Sequence, residues 1–444
     1  MKYALVFTAI FLLIACNPSD TTVQPVTTPR KTATNVAFAA TSATVFPTKT
    51  LPKPTPTLTP TISIPTPTGG NQYIAYYSGC NSCKSVAYLV VDSDGKGNAL
   101  INPSGKRQGW KKEFSWSPDG EHLAFTHSYY YQGGGELYIA DADGSNIQKI
   151  ADLWSSKYSW SPDSNYLVFV GIDQDGMPNV FTKGIYGEES KQLTYNKVPD
   201  LIFLLPEWSP EGSNIAFISY HPNKSDKGKS ETIYYVVDLN GTILLQSKIL
   251  GGVIEHTIWS PDGKEIFLTK KNIVNEDGSY ENHGIIAVDV NSKHIDTITT
   301  FYNTDIYPIL PTLSPDGTLI SYVSMLDGQK EVFIINTDGN NFRNVTNYTG
   351  DDNCPVWSPD GDQLLFSSER DGKIGIYKIT MTDMKVQKLT NSSSEERLNC
   401  LHSWSPDGTQ IAFGRGYVMN TDGRNVRRIL IDDYAGAISW QPSP

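Results

Sequence analysis

One pentapeptide, Trp-Ser-Pro-Asp-Gly, recurs along most of this 444-residue chain and constrains its fold more than any other feature. It first occurs at Trp116 and returns, with small changes, at intervals of 44 to 54 residues, until a diverged copy at Trp440 follows the previous one by 36 residues. The eight copies begin at Trp116, Trp160, Trp208, Trp259, Leu313, Trp357, Trp404 and Trp440. A period of about 40–50 residues with strand-like contents indicates a solenoid or a propeller.

The pentapeptide has the chemistry of a tight turn. Pro presets φ at the first central position, Asp suits the second, and Gly supplies the positive φ that ends the turn. In the first unit an alternating segment follows, Leu123-Ala124-Phe125, and then a second one, Leu137-Tyr138-Ile139. A second turn, Asp141 to Gly144, and a short segment, Gln148-Lys149-Ile150, complete the unit. Each unit therefore predicts four antiparallel strands, A to D, with the Trp at the end of strand A.

Four-stranded antiparallel units repeated radially are the blades of a β-propeller, so the predicted fold is all-β. Residues 73–103 supply strands B, C and D without a preceding Trp-Ser-Pro, and Ala437 to Trp440 supply a strand A with nothing after it. These two fragments make one blade, so we expect the ring to close by pairing of the N- and C-terminal strands. This predicts eight blades over residues 73–444; seven, with one unit as an insertion or cap, is the alternative.

The N-terminus has the layout of an export signal. Met1-Lys2 is followed by the apolar run Tyr3 to Leu13, and even the whole apolar stretch from Tyr3 to Ala15 is too short to span the roughly 30 Å of a bilayer core. The stretch ends in Leu13-Ile14-Ala15-Cys16, which resembles the bacterial lipobox. The resemblance implies a signal peptide over residues 1–15, lipidation of Cys16, and a lipoprotein held in the membrane with its folded part on the extracytoplasmic face, in the periplasm or at the cell surface. An ordinary signal with an incidental cysteine is the alternative.

The next segment changes composition abruptly. Of the 54 residues from 17 to 70, 16 are Thr and 10 are Pro, and Asp20 is the single acid. Such a run cannot bury a core, and its prolines favour extended polyproline II. We interpret residues 16–72 as a disordered tether between the lipidated cysteine and the propeller. The sequence does not decide whether the threonines of this tether are glycosylated.

Charge narrows the classes of partner. The chain has a net charge of −11, but residues beyond 72 contain 31 Lys and Arg against 46 Asp and Glu, a net charge of −15. Without a long Lys/Arg cluster, the sequence argues against nucleic-acid binding. An acidic domain favours a cationic partner, a metal ion or a basic peptide, over an anionic polymer. We expect a monomer.

The two faces of the predicted disc differ. The A–B and C–D turns are short and nearly identical, whereas the B–C and D–A connections differ in every unit and open on the opposite face, which we call the variable face. Binding residues usually lie in such variable loops, and aromatic side chains are favoured contacts. Tyr129, Tyr130 and Tyr131 are the candidate contact, with rings that fold back onto the disc as the alternative. The repeated Trp is interpreted as packing between blades. Asp-x-Asp-Gly is interpreted as a plain turn and not as a calcium site, because an EF-hand needs further ligands.

Four cysteines are expected on the variable face. Cys80 and Cys83 fall in the B–C loop of the shared blade, and Cys354 and Cys400 fall in D–A loops before strand A of neighbouring blades. Disulfides are the default in an exported protein, which predicts the pairs Cys354–Cys400 and Cys80–Cys83. A four-thiolate zinc site is the alternative, since Cys-x-x-Cys is a common half-site.

The units resemble the WD40-like PD40 repeat of TolB-type propellers, which also occurs in the propellers of prolyl oligopeptidases and dipeptidyl peptidase IV-like enzymes. The resemblance covers roughly residues 73–444 and is specific for the fold rather than for function, because the recurring residues are turn and packing residues. We expect no counterpart of the N-terminal α/β domain of TolB, because the Thr- and Pro-rich segment stands in its place, and the sequence contains no Gly-x-Ser-x-Gly motif. We expect a non-catalytic propeller that binds a protein or peptide partner and needs no cofactor.

An enzyme remains the alternative function. Oligogalacturonate-lyase-like propellers use a histidine-bound metal, and five histidines map to the predicted variable-face loops. These residues are His127, His221, His256, His283 and His402. The alternative is a glycan-binding or polysaccharide-cleaving propeller with a metal site at the channel mouth.

Overall fold

The structure is a computed structural model. It describes residues 73–78, 87–92, 99–101, 113–128, 134–198, 200–221, 231–249, 253–271, 283–301, 309–326, 328–390, 400–429 and 435–442. The regular structure in these residues is entirely β, and they contain no helix with the length and apolar character of a membrane span. Their strands form eight four-stranded antiparallel sheets, which confirms the eight-bladed propeller and makes the seven-bladed alternative wrong.

In chain order the strands are β1 (Tyr73–Ser78), β2 (Ala87–Asp92), β3 (Ala99–Ile101), β4 (Phe114–Trp116), β5 (His122–Ser128), β6 (Gly135–Asp141), β7 (Gln148–Leu153), β8 (Tyr158–Trp160), β9 (Tyr166–Ile172), β10 (Pro178–Gly184), β11 (Lys191–Gln192), β12 (Ile202–Trp208), β13 (Asn214–His221), β14 (Glu231–Asp238), β15 (Ile243–Ile249), β16 (Val253–Trp259), β17 (Glu265–Lys271), β18 (His283–Asp289), β19 (Ile295–Phe301), β20 (Ile309–Leu313), β21 (Leu319–Leu326), β22 (Gln329–Asn336), β23 (Arg343–Asn344), β24 (Asp352–Trp357), β25 (Gln363–Ser368), β26 (Gly375–Thr380), β27 (Val386–Lys388), β28 (His402–Trp404), β29 (Gln410–Phe413), β30 (Tyr417–Asn420), β31 (Arg427–Arg428) and β32 (Ala435–Trp440). Blades 1 to 7 are the consecutive groups of four from β4 to β31, and blade 8 has the order β32-β1-β2-β3.

Blade 8 closes the ring with strands from both ends of the described chain. β32 runs antiparallel to β1, with Trp440 opposite Ile74 and Ile438 opposite Tyr76. Gln441 adds two further bonds: its backbone N–H donates to the Tyr73 carbonyl, and its side-chain oxygen accepts from the Tyr73 N–H, each at 2.9 Å. The predicted pairing of the terminal strands is confirmed.

The recurring pentapeptide forms the A–B turns. In blade 1 the Ser117 hydroxyl donates to an Asp119 carboxylate oxygen at 2.6 Å and accepts from the His122 N–H at 2.9 Å. The Gly120 N–H donates to the Ser117 carbonyl at 2.9 Å, and Gly120 has φ 74°. The Ser-to-Asp bond recurs in blades 2, 4, 5, 6 and 7, so the Ser and Asp of the repeat are bonded to each other within six of the turns.

The same turns also pack against one another around the ring. A β-carbon placed on Gly317 of blade 5 would lie 2.6 Å from Cδ of Pro261 in blade 4. At the seam a β-carbon on Gly120 would lie 2.7 Å from the carbonyl oxygen of Pro442, the proline of the diverged last copy. Glycine is therefore required here by close approach to the preceding blade as well as by its positive φ.

The core lies between blades rather than at one centre. One cluster joins Val168 and Val170 of blade 2 to Phe203, Trp208 and Phe217 of blade 3, and corresponding clusters occupy the other blade interfaces. The first strands of neighbouring blades contact each other, so they form the inner edge of the ring. These inner strands therefore surround the central channel.

Candidate binding surface

Several predicted site residues lie outside the described residues. These are the candidate contact Tyr129, Tyr130 and Tyr131, the pair Cys80 and Cys83, and the lipidation residue Cys16. Their assignments stay predictions.

The Cys354–Cys400 disulfide is present and links blades 6 and 7, with the two Cα atoms 5.2 Å apart. The sequence interpretation placed Cys354 in a loop, but it lies within inner strand β24, at a bulge between Asn353 and Val356 and with φ 58°. His402, the first residue of inner strand β28, approaches the Cys354 carbonyl with Nε2 at 2.8 Å. The variable-face ends of these two inner strands are thus joined covalently and by a hydrogen bond.

The five histidines lie on strands rather than in loops, which corrects the sequence interpretation. His127 is buried in β5, where its Nδ1 lies 3.7 Å from Oε2 of Glu136 on the neighbouring strand β6. Burial lowers the pKa of His402 to about 4 and also lowers the pKa of His256 on β16. His221 ends β13 and His283 begins β18. In the described part of the chain, no three or more His, Cys, Asp or Glu side chains are grouped so that they could hold a metal ion.

A belt of indole hydrogen bonds runs around the inner edge of the ring. In five blades the Trp that ends the inner strand donates its Nε1–H to the carbonyl of the residue before the corresponding Trp or Leu in the preceding blade. The bonds are Trp116 to Ser439 at 3.2 Å, Trp160 to Ser115 at 3.3 Å, Trp357 to Thr312 at 3.3 Å, Trp404 to Val356 at 3.2 Å and Trp440 to Ser403 at 3.2 Å. The seven Trp side chains of the repeat are 5–8% exposed. Each Trp thus fills a blade interface, and five of them also donate a bond across it.

The belt is interrupted on one side of the ring. Nε1 of Trp208 and Nε1 of Trp259 are buried without a hydrogen-bond partner, and blade 5 has Leu313 at this position. The indole bond is therefore missing at three consecutive interfaces, between blades 2 and 3, 3 and 4, and 4 and 5.

The residue before each Trp or Leu forms an inner ring at the channel. All eight of these residues are partly exposed. In seven of the eight blades the next residue along the chain is the buried Trp. The members of this inner ring are Ser115, Ser159, Glu207, Ile258, Thr312, Val356, Ser403 and Ser439. Seven of them are uncharged, so Glu207 is the one carboxylate of this inner ring.

Glu207 is partly buried. Its Oε2 accepts a hydrogen bond of 2.7 Å from the Thr257 hydroxyl on inner strand β16 of the next blade. Burial raises the pKa of Glu207 to about 7. Burial, and then the charge of Glu207, raise the pKa of Tyr234, whose fully buried hydroxyl has no hydrogen-bond partner.

A second polar cluster, which sequence reasoning missed, supports the variable face of blades 5 and 6. Arg370 Nη2 lies 3.3 Å from Oδ2 of Asp352, which is 1% exposed, and the guanidinium carbon lies 5.0 Å from the ring centre of Tyr348. Burial raises the pKa of Asp352 despite the opposing charge of Arg370. Glu331, also buried, accepts a 2.5 Å bond from the Thr346 hydroxyl. These charges are paired or hydrogen-bonded, as buried charges require.

A sequence signal for part of this cluster exists. An apolar residue followed by Thr recurs near the end of strand D as Leu193-Thr194, Val345-Thr346 and Leu389-Thr390. Each of these Thr hydroxyls accepts the backbone N–H of a strand C residue at 2.9 to 3.0 Å. The repeated Thr therefore marks the point where strand D leaves the sheet.

The outer side of blades 2 and 3 contains a cavity of about 340 Å³. Its walls are mainly apolar and include Leu193, Phe203 and Phe217. Tyr195 at its rim is 72% exposed and Ile243 is 54% exposed. The cavity is separate from the inner ring and lies at one of the interfaces that lack an indole bond.

The chain matches the model of the TolB beta propeller domain, PD40, over residues 49–224 and 279–430. It belongs to the PD40 family. An uncharacterized protein of Agrobacterium fabrum is 28% identical over 217 residues, which cover 47% of this chain and 68% of that protein. The Tol-Pal system protein TolB of Francisella tularensis is 32% identical over 114 residues, which cover 23% of this chain and only 25% of TolB. The match thus spans about a quarter of that relative.

Among solved structures, the PD40 chain is similar to dipeptidyl peptidase 4 of Porphyromonas gingivalis. The TM-score is 0.58 at 15% identity, and the match covers 81% of this chain and 58% of the peptidase. At this identity the similarity concerns the fold and not the activity.

Proposed function

We propose that this PD40 propeller is a non-catalytic module that binds a protein or peptide partner through its variable face and the adjoining mouth of the channel. The observation that carries the proposal is the difference between the two faces: one is built from repeated turns, and the other from connections that vary. The Ser, Pro, Asp and Gly of the repeat hold the A–B turns and pack them against the preceding blade, while the connections on the other face differ in every unit. Variable loops on a rigid ring are suited to binding.

The similarity to TolB proteins supports a protein partner, and the net charge of −15 beyond residue 72 favours a basic one. The paired charges of the variable face fit this role. Arg370 is held by Asp352 and by aromatic rings, so it fixes the loops around it instead of presenting a reactive group.

The proposal includes attachment to the membrane through Cys16, on the extracytoplasmic face. The support is the Leu13-Ile14-Ala15-Cys16 sequence behind an apolar segment and the Thr- and Pro-rich residues that follow. Labelling of expressing cells with radioactive palmitate tests it. Wild-type protein should take up label and partition with membranes, and Cys16→Ser should lose both; label retained by Cys16→Ser contradicts the anchor.

Partner capture from chemically cross-linked bacterial envelopes tests the binding role. The triple substitution Tyr129→Ser, Tyr130→Ser and Tyr131→Ser should reduce capture of the partner. Tyr186→Ser is the matched control, because Tyr186 is 72% exposed and follows β10 in a C–D turn on the opposite face. Equal capture by the triple variant, or loss with the control, contradicts the assignment of the face; recovery of no protein contradicts the proposed function.

A further inference from the structure

The C–D turn of blade 3 contains the one Asn-Gly sequence of the chain, Asn240-Gly241. Asn240 is exposed in this turn, and Gly241 follows it with φ 82°. Because glycine has no β-carbon, the backbone nitrogen of residue 241 is more open to the preceding side chain than the nitrogen of any other residue type would be. The sequence thus places a side-chain amide beside an unhindered backbone nitrogen.

The side-chain amide of Asn240 makes its hydrogen bond outside its own turn. In the C–D turns of blades 1, 5 and 7 the residue before glycine is an aspartate, and its carboxylate accepts the N–H of the residue two positions later at 2.9 Å. These residues are Asp143, Asp338 and Asp422. In blade 3 the corresponding N–H, that of Thr242, donates to Oδ1 of Asp238 at 2.8 Å instead. The carboxylate of Asp238 thus takes the N–H that would otherwise hold the Asn240 side chain.

Lys191, on the outer strand of blade 2, orients this amide. Its Nζ donates a hydrogen bond of 3.3 Å to Oδ1 of Asn240. The ammonium group draws electron density from the amide carbon Cγ, and it would stabilise the negative charge that develops on Oδ1 when a nucleophile attacks Cγ. The turn therefore combines an activated amide carbon with the least hindered backbone nitrogen that can follow it.

We propose that Asn240 is a site of spontaneous chemical modification, at which the asparagine is converted to aspartate and isoaspartate. The backbone nitrogen of Gly241 loses its proton and bonds to Cγ, Nδ2 leaves as ammonia, and a cyclic succinimide forms. Water then opens the ring: addition at Cγ gives aspartate, and addition at the main-chain carbonyl carbon of residue 240 gives isoaspartate. Water is the single co-reactant. In the folded turn the Gly241 N–H donates to the Asp238 carbonyl at 3.0 Å, so this bond has to open before the attack.

The isoaspartate product does not fit the folded turn. It adds one methylene to the backbone next to Gly241, where a β-carbon would lie 2.4 Å from the carbonyl oxygen of Leu193 in blade 2. The turn then has to move away from Leu193, since well-packed contacts do not accept an extra methylene. Gly241 and Leu193 both line the cavity between blades 2 and 3, and Nε1 of Trp208 at this interface has no hydrogen-bond partner among the described residues. Isoaspartate at position 240 should therefore loosen the contact between these two blades.

The aspartate product keeps the length of the backbone. Its carboxylate takes the place that aspartate occupies in the C–D turns of blades 1, 5 and 7, and it faces Lys191. An exposed ion pair of this kind changes stability little. The two products should therefore have different effects, and isoaspartate is the one that alters the interface.

Peptide mapping by mass spectrometry measures the conversion in folded protein kept in a mildly alkaline buffer. Asn341 is the internal control, because it is exposed in the C–D turn of blade 5 but is followed by Phe342. Conversion of Asn240 should exceed that of Asn341 by about tenfold or more, since the attacking nitrogen after Asn240 is less hindered. Lys191→Met should slow the conversion severalfold. Lys264→Met is the matched control for this variant, because Lys264 bonds to Asp262 in an A–B turn of blade 4 and should leave the rate unchanged.

Hydrogen exchange then separates the two products. Protein enriched in isoaspartate, which an isoaspartate-specific methyltransferase labels, should exchange faster than unmodified protein at residues 193–198 and 238–243. Asn240→Asp, which reproduces the other product, should exchange like the wild type. Equal conversion of Asn240 and Asn341, or an unchanged rate in Lys191→Met, contradicts the proposed site. Unchanged exchange in the isoaspartate form contradicts the loosening of the interface. These results do not depend on a binding partner, so they are independent of the proposed function.

Discussion

The indole of Trp116, at the end of the first strand of blade 1, donates its N–H to the main-chain carbonyl of Ser439, 323 residues later in the chain, across 3.2 Å. Trp440 makes the equivalent bond to Ser403 in the preceding blade. The seam between blades 8 and 1 therefore uses the same contact as interfaces inside the repeat. The closure of the ring adds to this repeated contact the pairing of β32 with β1 within blade 8.

The belt allows a matched pair of substitutions. Trp116→Phe removes one ring and one N–H bond, whereas Trp259→Phe removes the same atoms from a buried indole whose N–H has no partner. We expect Trp116→Phe to lower the free energy of unfolding by about 1 kcal/mol more than Trp259→Phe does. Urea unfolding of both variants measures the difference. Equal losses would mean that the belt adds no stability.

Turn packing can be separated from turn conformation. Gly317 and Gly372 have nearly the same φ, 74° and 73°, but a β-carbon would lie 2.6 Å from Pro261 at Gly317 and would meet nothing within 4 Å at Gly372. Gly372→Ala should cost about 1 kcal/mol from backbone strain, and Gly317→Ala about 1–3 kcal/mol more from overpacking. Thermal unfolding of the two variants tests this. A Gly372→Ala loss as large as that of Gly317→Ala would contradict packing between blades.

The disulfide joins Cys354 and Cys400, which are 46 residues apart in the sequence. Replacing both cysteines by Ser should lower the free energy of unfolding by about 2–4 kcal/mol, chiefly by relaxing the constraint on the unfolded chain. Dithiothreitol should destabilise the wild type by a similar amount and have a much smaller effect on the double variant. A wild type whose unfolding is insensitive to dithiothreitol would contradict a stabilising role.

Two buried groups give stability opposite dependences on pH. The His402 pKa falls from 6.5 to about 4 on folding, so its contribution is full above 6.5 and is lost as pH falls toward 4, a change of about 3 kcal/mol. The Glu207 pKa rises from 4.5 to about 7, so its contribution is full below 4.5 and is lost as pH rises through 7.

Single variants should separate these two dependences. His402→Gln should leave a protein whose stability falls as pH rises from 4.5 to 7, and Glu207→Gln one whose stability falls as pH drops from 6.5 to 4. Urea unfolding at several pH values measures both slopes. If the free energy of unfolding depended on pH in the same way in both variants, at least one of the two pKa shifts would be contradicted.

The fold could be predicted from the sequence because the turn residues repeat. Trp, Ser, Pro, Asp and Gly recur, with small changes, at the same place in successive blades, and the fragments at residue 73 and at Trp440 fit together as one blade. Glu207 could have been found by the same comparison, as the acidic residue among those that precede each Trp. Its bond to Thr257 could not, because the two residues meet only when blades 3 and 4 pack together.

The histidines and Cys354 show where pattern reasoning failed. Strands continue past their apolar segments, so His127 pairs with Glu136 across β5 and β6 although both are polar. An extra residue in β24 forms a bulge that keeps Cys354 in the inner strand. Strand pairing and bulges depend on backbone bonding between strands, which residue type alone does not specify.

Protection of backbone amides from hydrogen exchange, measured on the propeller with and without its captured partner, locates the face that binds. A variable-face binder should gain protection in residues 128–135 and at the first residues of β24 and β28, while the A–B turns, such as residues 117–122, keep their exchange rates. Protection confined to the A–B turns, or no change anywhere in residues 73–444, would contradict the assignment of binding to the variable face.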